Sequence, residues 1–172
     1  MHSIFLVGFM GCGKTTVGRL LAERLAWSFV DLDQRIADNE GRTIPEIFSD
    51  GGEPAFRIAE RQALFETVSA ANTVVAAGGG LFCDPENRRL IAGAGGWAVF
   101  LDVPWSVIKS RIGSRDPTRP MWDSHSAAKA VYDRRLGAYR MADAVVAVGT
   151  DWSAAEVAKK IVQLRPELAC AL

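Results

Sequence analysis

The stretch SIFLVGFMGCGKTTVGRLLAERLAW, residues 3–27, decides how the rest of the chain is read. Its opening run IFLV (4–7) has the length and apolar character of a buried strand, and residues 15–27 space their apolar side chains at helical intervals. Between them stand Gly8, four further residues, and then Gly13-Lys14-Thr15, a GxxxxGK[ST] pattern with a strand before it and a helix after it. Glycines there let the backbone turn so that successive N–H groups face phosphate oxygens, and the helix start adds the positive end of its dipole. Lys14 can reach the outer phosphates of a nucleotide, and the Thr15 hydroxyl can ligate Mg2+. Gly11, Cys12, Gly13, Lys14, Thr15 and Thr16 are therefore the candidate nucleotide contacts. Cys12 is either a thiol activated by the surrounding N–H groups or, more simply, a small residue that fits the loop.

Downstream, four more short apolar runs alternate with amphipathic stretches. FVDL (29–32), TVVAA (73–77), WAVFL (97–101) and AVVAV (144–148) read as strands. Helical patterns cover 15–27, a broken stretch at 34–49, then 53–70, 86–93, 105–112, 126–139 and 153–164. Continuous apolar strands alternating with helices predict an α/β fold, a five-stranded parallel sheet flanked by helices. No linker and no internal repeat divides the chain, so residues 1–172 are expected to form one domain. GSRDPTRPMWDS (113–124) breaks the periodicity and reads as a surface loop carrying Arg115 and Arg119, either mobile or an ordinary connection.

Composition narrows the partners. The 172 residues carry 20 basic and 20 acidic side chains, so no overall field draws the chain to nucleic acid or to a membrane surface. No apolar run reaches the roughly 18 residues of a membrane span, and the opening residues lack a leader pattern. Three widely spaced cysteines (Cys12, Cys83, Cys170) fit reduced thiols, which leads to the expectation of a cytoplasmic protein. With only two histidines, a His-based triad is a poor candidate for the chemistry. The five tryptophans (27, 97, 105, 122, 152) are scattered and read as core or rim.

Four further stretches carry chemistry. FVDLDQRI (29–36) places Asp31 and Asp33 at the carboxyl end of a strand, where α/β sheets hold their ligands. Strand alternation would send both to one side, with Leu32 turned away. One carboxylate can support Mg2+ through water while the other accepts a proton from a substrate hydroxyl; the competing role for Asp33 is a helix cap. GGEPAFRIAE (51–60) puts Arg57 in the first turns of a helix, AAGGGLF (76–82) lets backbone approach a ligand or simply turn, and YDRRLGAY (132–139) brings Arg134 and Arg135.

Together these stretches resemble the shikimate kinase family over nearly the whole chain. The resemblance rests on GFMGCGKTTVGRLLAERL, FVDLDQRIADNEGRTIPEIFSDGGEPAFRIAE, AAGGGLFCDPENRRL and the TRP of residues 118–120. It implies a P-loop kinase core with a substrate-binding segment at about 32–61 and a lid at about 113–124. It further implies MgATP-dependent phosphorylation of the 3-hydroxyl of shikimate, a step toward chorismate and the aromatic amino acids, by a monomer. Asp33 matches the carboxylate on the shikimate hydroxyls, Arg57 and Arg135 the arginines on its carboxylate, and Gly79 and Gly80 the backbone contacts. Lys14 and Arg119 match the groups facing the ATP phosphates, Arg111 an arginine stacking on adenine, and Asp31 with Thr15 the metal side.

Three departures stand against the family pattern. The lid reads Arg119-Pro120-Met121-Trp122 where R-P-L-L is usual. Arg135 is followed by LGAY, with Gly137 in place of a proline, which leaves Arg134 and Arg135 both open as the second substrate arginine. The loop Thr150-Asp151-Trp152 has no arginine where many members carry one, which leaves the base contacts there open. The alternatives are a related small-molecule kinase, such as one acting on gluconate, and a nucleotide-binding domain without transfer activity. Asp33 with Arg57 speaks against the first, and the presence of Lys14, Asp33 and Arg119 against the second.

Overall fold

The structure, a computed structural model, describes residues 3–113 and 125–169. Its elements run β1 (Ser3–Val7), α1 (Lys14–Leu25), β2 (Ser28–Asp31), α2 (Leu32–Glu40), α3 (Ile44–Val68), β3 (Thr73–Ala76), α4 (Pro85–Gly93), β4 (Gly96–Asp102), α5 (Trp105–Gly113), α6 (His125–Tyr139), β5 (Ala144–Ala147) and α7 (Ala154–Leu164). All four strand pairings are parallel, in the order β2-β3-β1-β4-β5. The central strand is buried along its whole length, which is why its sequence is continuously apolar rather than alternating. Ile4, Phe5 and Leu6 pack with Val74, Val75, Val99 and Phe100 in one core that also takes the inner faces of α1 and α7. On α1, Val17, Leu21 and Leu25 repeat every four residues and face inward.

The predicted strands fall within a residue or so of the observed ones. One junction differs in a way that matters for the site. The run FVDL was expected to be extended through Leu32, with Asp31 and Asp33 alternating to one side. Instead β2 stops at Asp31, whose side chain accepts the Asp33 N–H at 3.1 Å and so caps α2. Leu32 enters the helix and is fully buried, and Asp33 sits in the first helical turn. The cap wins because a carboxylate at this position takes up one of the helix's otherwise unpaired N–H groups. Of the two aspartates it is Asp31, not Asp33, that caps.

The broken helical stretch resolves into two elements. α2 closes at Gly41, and α3 opens on a capping box in which Thr43 and Glu46 bond reciprocally. α3 then runs through a kink at Gly52, where φ is 65° and Pro54 follows two residues later. A side chain at that φ would be strained, so the bend that separates the Ile44 end from the Arg57 end is tied to glycine. The expected lid, with Arg115, Arg119, Met121 and Trp122, lies outside the described residues, as does Cys170. Cys12 and Cys83 are free thiols, and no described helix is long and apolar enough to cross a membrane.

Candidate functional site

The loop between β1 and α1 turns on two glycines in the left-handed region, Gly11 (φ 74°) and Gly13 (φ 96°), the second standing directly before the first helical residue. The Lys14 ammonium folds back over this loop and donates to the carbonyls of Gly8 (2.9 Å) and Phe9 (3.0 Å). Cys12 is buried, with its sulfur 3.7 Å from that ammonium, which suits a small side chain filling the loop. Beside it the Thr15 hydroxyl donates to Asp31 at 2.7 Å, tying the start of α1 to the end of β2. An oxygen-only pair of this kind matches the ligand preference of a hard divalent cation.

A cavity of about 970 Å3 extends from this loop along the carboxyl ends of β2 and β3 toward α3 and α6. Lys14, Thr15, Asp31, Asp33, Arg57 and Arg135 all line it. Arg57 is held as a fork: one guanidinium nitrogen donates to Glu60 at 2.7 Å and another to Glu53 at 2.7 Å. The glycine run after β3 makes room for these groups. A Cβ on Gly80 would stand 2.7 Å from the Arg57 guanidinium nitrogens, and one on Gly78 would stand 2.9 Å from both Asp33 Oδ1 and Glu60 Oε1. Glycine is needed here for close approach rather than for an unusual φ.

The structure brings Arg135, not Arg134, to the cavity. Arg135 donates to the Gly79 carbonyl at 3.2 Å, whereas Arg134 points to solvent. Tyr139, one helical turn further on, donates to the same carbonyl through its buried hydroxyl. Arg111, from α5, donates to the Gly11 carbonyl at 3.2 Å and so reaches the outer side of the phosphate loop.

Two residues not singled out from sequence belong to this constellation. Glu60 is 1% exposed, yet it carries an ion pair to Arg57 on one oxygen and has no hydrogen-bond partner for the other among the described residues. Its spacing from Arg57, the R-x-x-E of FRIAE, places both on one helix face and was the available signal. Tyr139 stands four residues after Arg135, the same kind of spacing. Burial pushes the Glu60 carboxyl up and the nearby Asp33 adds to this, while Arg57 and Arg135 pull it down without cancelling it. For Arg57, burial acts to lower the pKa, but Glu60 and Glu53 together outweigh it and the guanidinium is held above its usual range. Burial also pushes the Tyr139 phenol well up, so that it stays a hydrogen-bond donor.

A strand, a phosphate loop and a helix at one end of the cavity, with paired acidic and guanidinium groups at the other, define a P-loop phosphotransferase. The family model for shikimate kinase matches residues 10–165, and the chain belongs to the shikimate kinase family. It is 39% identical over 143 residues to a shikimate kinase of Persephonella marina, covering 83% of this chain and 87% of that protein. It is 38% identical over 168 residues to one of Synechococcus elongatus, covering 96% and 87%. Among solved structures, a shikimate kinase from Acinetobacter baumannii in complex with shikimate matches with a TM-score of 0.89 and 36% identity, covering 96% of this chain and 93% of that one.

The raised Glu60 pKa has a signed consequence. The folded state holds the Glu60 proton at a pH where the unfolded chain, titrating near 4.5, has lost it. Stability attributable to this group is therefore lost as pH rises from about 4.5 through the raised folded value. In chemical denaturation, the stability of wild type relative to Glu60→Gln should fall over that window and level off above it. A difference that rises with pH would contradict the burial-driven shift.

Proposed function

We infer that this chain transfers the γ-phosphoryl group of ATP to the 3-hydroxyl of shikimate, giving shikimate 3-phosphate. The observation that carries the reading is the single cavity shared by Lys14 and Thr15 at one end and Asp33, Arg57 and Arg135 at the other. A small carboxylated polyol calls for that second set: planar guanidinium groups match its carboxylate, and an exposed aspartate can accept hydrogen bonds from its hydroxyls. Residues of about 32–61 act as the acceptor-binding segment, within one kinase domain spanning 1–172. The protein works as a cytoplasmic monomer, on a small molecule rather than on nucleic acid or a membrane, in keeping with its balanced charge and free thiols.

Each side chain has a task. Lys14 releases the Gly8 and Phe9 carbonyls and neutralises the outer phosphates, with Arg119 assigned to the same phosphates by family resemblance. Gly11, Cys12, Gly13 and Thr16 shape the phosphate cradle, and Arg111 meets the adenine side. Thr15 and Asp31 are the residues that would hold Mg2+, which supplies charge neutralisation on the phosphate oxygens. Asp33 orients the acceptor hydroxyl and takes its proton. Arg57, fixed by Glu53 and Glu60, grips the acceptor carboxylate together with Arg135, and Gly79 and Gly80 present backbone to the ring. Phosphoryl transfer asks for little covalent chemistry from the protein, so positioning and charge do most of the work.

An ADP-release assay with MgATP tests this reading, run with shikimate, with gluconate and with no acceptor. Release that depends on shikimate is expected; release equal with gluconate would move the assignment to another acceptor. Asp33→Asn should keep ATP affinity and lower kcat by about 10²–10⁴, and near-wild-type turnover would remove Asp33 as the base. Arg57→Ala should raise the KM for shikimate by about 10-fold or more, the loss of a charged hydrogen-bond pair, with the KM for ATP little changed. Equal losses for both substrates would mean that Arg57 supports the fold instead.

A further inference from the structure

The three carbonyls of the glycine run after β3 are held in two different ways. Backbone takes the outer two: the Gly78 carbonyl accepts the Leu81 N–H at 3.2 Å and the Gly80 carbonyl accepts the Cys83 N–H at 3.0 Å. The Gly79 carbonyl between them accepts from two side chains of α6, Nη1 of Arg135 at 3.2 Å and the hydroxyl of Tyr139. Those two residues stand four apart and so share one helix face.

We propose that Tyr139 is a positioning residue for acceptor binding: as the standing hydrogen-bond partner of the Gly79 carbonyl, it lets the Arg135 guanidinium turn from that carbonyl to the acceptor carboxylate. The inference rests on the reading of Arg135 as an acceptor arginine and gives the buried phenol a part in the same step.

The two donors differ in how firmly they are held. Tyr139 is fully buried, and its ring stacks on Phe100 of β4 at 5.3 Å between centroids and 28° between planes. Phe100 in turn pairs with Val7 at the end of the central strand. The phenol is thus anchored to the middle of the sheet and has no path to solvent. Burial also pushes its pKa well up, so the hydroxyl keeps the proton it donates. Arg135, by contrast, is half-buried and lines the large cavity. Its bond to Gly79 lies at the long end of the N–H···O range.

The energetics then favour a handover. A guanidinium fork on a carboxylate is stronger than a single bond to a neutral carbonyl, so an anion in the cavity draws Arg135 away. With the Tyr139 hydroxyl in place, the Gly79 carbonyl keeps a partner when this happens. Without it, Arg135 either stays on the carbonyl and grips the acceptor poorly, or leaves the carbonyl unpaired, which weakens the bound state.

The test uses Tyr139→Phe, which removes the hydroxyl and keeps the ring that packs on Phe100. Steady-state kinetics with MgATP and shikimate should show the KM for shikimate raised about 5- to 30-fold, with kcat and the KM for ATP unchanged. A purely structural role would lower thermal stability without this split. Equilibrium shikimate affinity, followed by NMR so that millimolar binding is readable, completes a double-mutant cycle. In an Arg135→Ala background, Tyr139→Phe should change that affinity by no more than about two-fold. A wild-type crystal structure with shikimate gives a reading that needs no variant to fold: Arg135 should lie on the acceptor carboxylate and Tyr139 still on the Gly79 carbonyl. An unchanged KM in Tyr139→Phe, an undiminished effect without Arg135, or Arg135 still on Gly79 in the complex would overturn the inference and leave the kinase reading standing. Wild-type protein with no shikimate-dependent turnover would overturn that reading as well.

Discussion

Everything at the site depends on the parallel pairing of β1 with β3. The register sets Ser3 against Thr73 and Leu6 against Ala76, and the Ala77 N–H then bonds the Leu6 carbonyl at 3.1 Å. The chain therefore leaves both strands at the same level and in the same direction. The phosphate loop begins at Gly8 and the glycine run at Gly78, so the two loops emerge side by side. A Cβ on Gly79 would stand 3.6 Å from the Met10 nitrogen and 4.0 Å from the Gly8 oxygen, which shows how closely the loops approach. Were β3 shifted by one residue, every side chain on it would change faces and the glycine run would no longer meet the loop.

From that junction the remaining parts take their places. α6 fastens the glycine run from outside, with Arg135 and Tyr139 both donating to the Gly79 carbonyl. α3 approaches from the other side, and the kink at Gly52 aims its second half so that Arg57 lies against Gly80. Burying Glu60 beneath Arg57 is costly on its own, since a carboxylate with one oxygen unpaired among the described residues is far from water. The return is orientation: two carboxylates hold one guanidinium in a fixed plane, which a solvated surface arginine would not keep. Removing Glu60 would thus be felt through Arg57 more than through any direct contact of its own.

The main architecture was legible because it is local. Five apolar runs, a phosphate-loop pattern and helical periodicity each occupy a single stretch, and each appears where the spacing puts it. Asp31 and Asp33 were misplaced relative to one another because strand alternation was extended one residue too far; the deciding fact was a two-residue hydrogen bond, a competition between extended and helical backbone that pattern alone does not weigh. That Arg135 rather than Arg134 lines the cavity is set by which face of α6 meets the glycine run, a tertiary fact. Glu60 and Tyr139 carried spacing signals, at i+3 and i+4 from their arginines, but nothing in spacing says that a glutamate will be buried or that a phenol will find a backbone carbonyl some sixty residues away.

If the two adjacent loops deliver the phosphoryl group straight to a bound acceptor, the products should account for one another. Phosphorus NMR of the reaction with MgATP and shikimate measures this directly by following ADP, the phosphate monoester and free phosphate together. The account predicts one monoester for every ADP and almost no free phosphate, with ATP turnover close to nil when shikimate is left out. Free phosphate accumulating in step with ADP, whether or not shikimate is present, would contradict it.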